Sequence, residues 1–121
     1  MPTILIVDDD PAIRGVLYDL LSEKYECNTA SMAEEALQYL EAEKYDAILT
    51  DIAMPGLTGV KLLQRIQQHH ANTPVILISG KGNEQDPRDL IGLGAFAYLT
   101  KPFNLDDIEE VVERAVARKQ S

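Results

Sequence analysis

Short runs of β-branched and leucine residues recur along this 121-residue chain, and four of them stop abruptly at polar residues. Thr3–Val7 stops at Asp8-Asp9-Asp10-Pro11, Asp46–Thr50 at Asp51, Val75–Ile78 at Ser79-Gly80, and Ala95–Thr100 at Lys101-Pro102-Phe103. A weaker run, Cys27–Ala30, lies between the first two. Apolar runs of this length, closed by turn residues, read as strands buried on both faces. Between them the apolar period changes to that of helices. Asp10 and Pro11 suit an N-cap and first helical position, and Ile13, Val16, Leu17, Leu20 and Leu21 follow at helical spacing. Ser31 and Glu34 resemble a capping box ahead of Ala36, Leu37 and Leu40. Thr58-Gly59 opens a helix with Val60, Leu63 and Ile66 inward. A short helix is predicted from Pro87 to Leu93, stopped by Gly94. Asn104 caps a last helix with Leu105, Ile108, Val112 and Ala115 on one face, and Arg114, Arg118 and Lys119 at its negative end. Five strands alternating with five helices predict an α/β fold, a parallel sheet wound on both faces. The length holds one core and not two, so residues 1–121 read as a single domain.

That topology gathers residues far apart in sequence. Asp8, Asp9, Asp51, Ser79 and Lys101 all follow apolar runs, so all are expected at the carboxyl edge of the sheet, where ligands bind in open α/β folds. Three carboxylates in one crevice repel: two unit charges about 4 Å apart cost about 4 kcal/mol at an effective dielectric of about 20. Either a pKa rises or a cation binds. Oxygen donors without histidine or cysteine favour Mg2+, or Mn2+, over zinc. A carboxylate is already a nucleophile at neutral pH, so Asp51 reads as a phosphoryl acceptor, with Lys101 and Ser79 supplying charge and a donor to the transferring group. No GxxxxGK[ST] loop is present, so the phosphoryl donor is not expected to be a bound nucleotide.

The remaining composition narrows the classes. A net charge of −9 argues against direct grip on nucleic acid or an anionic membrane. No apolar run approaches bilayer length, and Thr3–Val7 follows Met1-Pro2 without a basic leader, so no signal peptide is expected. The single cysteine, Cys27, excludes an internal disulfide, suits a reducing, cytoplasmic location, and reads as a small apolar strand residue. His69 and His70 read as solvent-facing residues at a helix end.

The blocks Ile6-Val7-Asp8-Asp9, Asp51-Ile52-Ala53-Met54-Pro55 with Gly59, Ser79-Gly80 and Lys101-Pro102-Phe103 resemble the response-regulator receiver domains of bacterial two-component systems, from Thr3 to about Val116. The resemblance implies a flavodoxin-like fold with strand order 2-1-3-4-5. It implies that Asp51 is phosphorylated from the phosphohistidine of a sensor histidine kinase or phosphotransfer protein. Asp9 would ligate Mg2+ directly, Asp8 through water, and Ala53 through its carbonyl. Ser79 and Lys101 would touch the phosphoryl group, Tyr98 would be a switch ring that follows Ser79, and Lys101–Pro102 would be cis. The signal would pass to an output domain or effector protein, and a phosphorylation-dependent homodimer is compatible with this. Such a domain catalyses only its own phosphorylation and dephosphorylation. Pro87 and Gly92 depart from the regular fourth helix of the family. The apolar Ala53 side chain cannot orient a water, which predicts slow hydrolysis of the acyl phosphate. The rival enzyme reading is a phosphatase of the haloacid-dehalogenase type, for which Asp8-Asp9-Asp10 supplies a D-x-D spelling but Ala12 departs from the pattern. A third reading is a receiver-like scaffold that works without phosphorylation.

Overall fold

The structure is a computed structural model that describes residues 1–54, 56–80 and 87–120. Five strands, β1 (Thr3–Val7), β2 (Glu26–Ala30), β3 (Ala47–Asp51), β4 (Val75–Ser79) and β5 (Ala97–Thr100), form one parallel sheet in the order β2-β1-β3-β4-β5. The connecting helices are α1 (Pro11–Leu21), α2 (Ala33–Ala42), α3 (Gly59–His69), α4 (Pro87–Gly92) and α5 (Leu105–Gln120).

Alternation along the strands divides the core in two. Leu5, Val7, Ile48, Val75 and Leu77 face α2, α3 and α4, packing with Ala36, Leu40, Leu62, Leu63, Ile66 and Leu90. Ile4, Ile6, Ala47, Leu49, Ile76 and Ile78 face α1 and α5, packing with Leu17, Leu21, Ile108, Val112 and Ala115. Both layers cover β1, β3 and β4 completely, which is why these strands read as uninterrupted apolar runs rather than alternating ones. Truncating a central residue such as Ile76, fully buried, costs about 2–5 kcal/mol through lost transfer energy and the cavity left behind.

Several boundaries differ from the sequence reading. β3 begins at Ala47 and includes Asp51, because Asp46 is held outside it: its N–H donates to the Thr3 carbonyl (2.8 Å), and its Oδ2 accepts from the Thr3 N–H (2.8 Å). β2 starts one residue early, at Glu26, whose N–H donates to Pro2 O. β5 starts at Ala97, two residues late, since the Ala95 N–H donates to Leu90 O at the end of α4. The expected capping box is not formed. α2 starts after Met32, with no side-chain cap, while Glu35 Oε1 accepts from the Ser31 N–H at 2.8 Å. Glu34 instead reaches across to the Leu57 N–H at 3.2 Å. Val16 (46% exposed) and Leu105 (42%) point away from the core. On α1 the inward stripe is carried by Leu17 and Leu21. On α3 it is carried by Leu62 with Leu63 and Ile66, and Val60 is only half-buried. The caps at Asp10 and Asn104 stand as expected, and Thr58, at the expected start of α3, caps it as well; their side-chain oxygens accept from the N–H groups of Ala12, Asp106 and Lys61. The fourth helix is short, six residues, ending one residue before Leu93.

Candidate functional site

At the carboxyl edge, β1 and β3 run side by side, with Val7 opposite Thr50. This register brings Asp8 and Asp9, just past β1, against Asp51 at the end of β3. Their carboxylate oxygens lie within 4.8 Å of one another. Asp8 and Asp51 are buried (1% and 4% exposed), and Asp9 is open to solvent. β4 continues the edge, with Asp51 opposite Ile78 and Ser79 opposite Thr100. The Lys101 N–H donates to Ser79 O, which fixes where the lysine leaves β5. Its Nζ then reaches Asp51 Oδ2 at 3.0 Å and Asp8 Oδ2 at 3.3 Å. The Lys101–Pro102 peptide is cis.

Each buried acid is held by more than the lysine. Asp8 donates its N–H to Ala30 O, accepts from the Asp10 N–H on Oδ1 (2.9 Å), and accepts on its carbonyl from Arg14 Nη1 (2.8 Å). Asp51 Oδ1 accepts from the Ala53 N–H at 3.2 Å. Gly59 packs on the Asp51 main chain: a Cβ there would collide with the Asp51 carbonyl oxygen and lie 2.8 Å from Ile52 Cα. The Gly59 N–H also donates to Ile52 O. Any side chain at this position would push the strand end aside.

Burial raises the Asp8 pKa, and the neighbouring Asp51 charge adds to the rise; the Asp10 N–H and Lys101 oppose it without cancelling it. Burial on its own lowers the Lys101 pKa, but its hydrogen bond to Asp51 and the charges of Asp8 and Asp51 outweigh that, and the net direction is up. Among the described residues, one cation, Lys101, pairs with the carboxylates of this three-acid cluster. That surplus of negative charge, presented on oxygen atoms alone, suits a hard divalent cation and not a thiophilic one.

The structure thus brings together Asp8, Asp9, Asp51 and Lys101. Ser79 lies beside them at the end of β4, fully buried, with Oγ donating to its neighbour Gly80 O (3.2 Å) rather than to an acid. Ala53 sits two residues past Asp51, exposed, on the loop leading to α3. Tyr98 is half-buried on β5, opposite Leu77, against the α2–α3–α4 layer. Asp10, the second acid of the D-x-D spelling, is occupied as the cap of α1. Arg14 and Glu34 were not anticipated as neighbours of the two acidic loops. Both look like ordinary helix-surface charges in sequence, and only their contacts mark them. A groove of about 390 Å³ between α2 and α3, lined by Leu37, Leu40, Arg65, His69 and His70, contains none of the site residues.

Residues 4–113 match the family described as the response regulator receiver domain. The chain is a response-regulator receiver domain. Among curated relatives of this receiver, the DNA-binding transcriptional regulator NtrC of Escherichia coli K12 is 37% identical over 118 residues, covering 97% of the chain and 25% of NtrC. The nitrogen assimilation regulatory protein NtrX of Azorhizobium caulinodans is 39% identical over 116 residues, covering 93% of the chain and 26% of NtrX. Among solved structures, the receiver domain of NtrX from Brucella abortus superposes with TM-score 0.88 at 37% identity, covering 94% of this chain and 98% of that one. A response regulator receiver domain protein from Clostridium thermocellum superposes with TM-score 0.92 at 30% identity, covering 99% and 98%. The receiver spans about a quarter of the length of these two curated relatives. No helix among the described residues is long and apolar enough to cross a membrane.

Proposed function

We propose that this receiver accepts a phosphoryl group on Asp51 from the phosphohistidine of a sensor histidine kinase or phosphotransfer protein. An Asp51 carboxylate oxygen attacks phosphorus, the P–N bond breaks, and the histidine leaves with its electron pair. The observation that carries this reading is the shared lysine: Lys101 Nζ bridges Asp51 and Asp8 beside a third acid within 4.8 Å. The arrangement pairs a nucleophile with a fixed cation and a surplus of hard oxygen donors. Asp9, Asp51 and the Ala53 carbonyl would hold Mg2+ (or Mn2+), with Asp8 acting through water. When bound, the ion supplies positive charge against the equatorial phosphoryl oxygens.

The chain's own residues do the rest. The Asp10 N–H and Arg14 keep Asp8 in place, the Ala53 N–H orients Asp51, and Lys101 moves from its acid partners to the incoming oxygens. Ser79 exchanges its weak local bond to Gly80 for one to the phosphoryl group. That shift opens space beside β4, and Tyr98 on the neighbouring strand is the ring that moves in response. The changed surface around β5 then engages an output domain, an effector protein or a second receiver. The domain does not contact nucleic acid or membrane, and its partners place it in the cytoplasm. Residues 1–121 act as one receiver domain. The apolar Ala53 side chain leaves the acyl phosphate long-lived, and Ala53→Asn shortens its life.

Incubation with acetyl phosphate and Mg2+, followed by peptide mapping, tests the reading. Label appears on Asp51, requires the metal, and is lost on chelation before the phosphoryl donor is added. Label on Asp8 supports the phosphatase alternative. No metal-dependent label supports the scaffold alternative.

A further inference from the structure

A carbonyl just past a strand end has left the ladder that would satisfy it, and a buried one needs another donor. The Asp8 carbonyl is in that position. Its donor is Arg14 Nη1, at 2.8 Å, reaching back from the first turns of α1. The same arginine donates its backbone N–H to Asp10 O at 3.0 Å, and the Asp10 N–H donates to Asp8 Oδ1 at 2.9 Å. The turn Asp8-Asp9-Asp10 is therefore tied to α1 at both ends. Asp9 lies between the tied residues and is exposed, so its direction follows from the main chain on either side.

We infer that Arg14 is a positioning residue for the divalent-cation site: it fixes the Asp8 main chain and thereby aims the Asp8 and Asp9 carboxylates at a common point with Asp51. The inference rests on the reading of these acids as metal ligands. It adds a division of labour between two cations. Lys101 holds the Asp8 side chain and is free to move to phosphate, whereas Arg14 holds the Asp8 backbone and does not touch the reacting atoms. Arginine suits the second task because its planar, always-charged fork can hold a carbonyl without titrating.

Geometry and charge predict opposite outcomes when Arg14 is neutralised. If Arg14 mattered only as a nearby positive charge, Arg14→Gln would strengthen Mg2+ binding. If it positions the ligands, Arg14→Gln weakens binding. Supporting groups around metal ligands are worth about tenfold in affinity or more, and about tenfold weaker binding is the expected result. Arg14→Lys, which keeps the charge and N–H donors but not the planar fork, falls between.

Calorimetric titration of the unphosphorylated wild-type, Arg14→Gln and Arg14→Lys receivers with MgCl2 decides this, alongside melting curves in metal-free buffer. Support is affinity falling in the order wild type, Lys, Gln, with melting midpoints that do not follow that order. Arg14→Gln binding Mg2+ as tightly as wild type, or more tightly, overturns the inference while leaving the acceptor reading intact. So does Arg14→Lys with wild-type affinity if Arg14→Gln fails to fold, because the role is then structural only. A wild-type receiver that binds no Mg2+ overturns the metal reading and this inference together.

Discussion

Strand β3 is bracketed by two aspartates that meet different fates. Asp46, at its amino end, is satisfied locally: it exchanges two 2.8 Å hydrogen bonds with the main chain of Thr3 and joins β1 to β3. Asp51, at the carboxyl end, is crowded by Asp8 and Asp9 and shares a single lysine with Asp8. The same residue type is a fastener just before the strand and a member of a crowded acid cluster at its far end. What separates them is whether the charge is already matched. At the amino edge the Thr3 N–H answers one lone carboxylate. At the carboxyl edge three carboxylates converge, and among the described residues only Lys101 pairs with them, which leaves a surplus of negative charge.

The largest effect that tests this contrast is all-or-none. Asp51→Asn is expected to abolish Mg2+-dependent labelling by acetyl phosphate, read by intact mass. Asp46→Ala leaves labelling near wild type but lowers stability by about 1 kcal/mol in urea melts, the usual worth of a lost hydrogen bond. Asp46→Ala that also loses labelling would break the distinction between the two ends. Next is Lys101→Met, for which labelling slows by about 100-fold, as for removal of one preorganised donor at a developing charge. A rate within a few-fold of wild type would show that Lys101 is only a salt-bridge partner.

Smaller, and on stability first, is Gly59→Ala. Its methyl overlaps the Asp51 carbonyl, and overpacking of this kind costs about 1–3 kcal/mol, measured as a lower urea midpoint together with slower labelling. Gly15→Ala, inside α1 where a Cβ meets nothing within 4 Å, is the control: labelling is unchanged and the urea midpoint rises, by about 0.5–1 kcal/mol of stability for a glycine removed from a helix. The smallest effect is a pH dependence. The Asp8 pKa is raised above 3.8, so the folded state holds this proton more tightly than the unfolded chain does. The stability conferred below 3.8 is lost as pH climbs through the raised value. In metal-free urea melts, Asp8→Asn therefore gains stability relative to wild type as pH rises from 4 toward neutrality, while losing Mg2+ binding. Asp8→Asn losing stability relative to wild type over that range would contradict the raised Asp8 pKa, which burial causes first and the Asp51 charge reinforces.

Much of this was readable before any coordinates. Strand ends at Asp8, Ser79 and Lys101 follow from where apolar runs stop, and caps at Asp10 and Asn104 from local side-chain chemistry, because these signals act over a few residues. The sequence misleads where a distant segment decides the outcome. The period of β3 includes Asp46, but Thr3 draws it out of the strand. Glu34 has the spacing of a helix cap, but the loop after Asp51 offers it the Leu57 N–H, while Glu35 accepts from the Ser31 N–H. Val16 and Leu105 are apolar at helical spacing, yet the sheet is covered without them.

By itself the sequence determined the alternating α/β order, the two-faced burial of the central strands, and the chemistry collected at one edge, since each depends on local period and on the direction parallel strands must share. Tertiary structure alone decided which acids are crowded and which are satisfied, that Lys101 serves two of them, and that Arg14 and Gly59 hold their backbones. Those outcomes depend on register and on close approach between segments up to 93 residues apart, and distances of that kind leave no trace in local sequence.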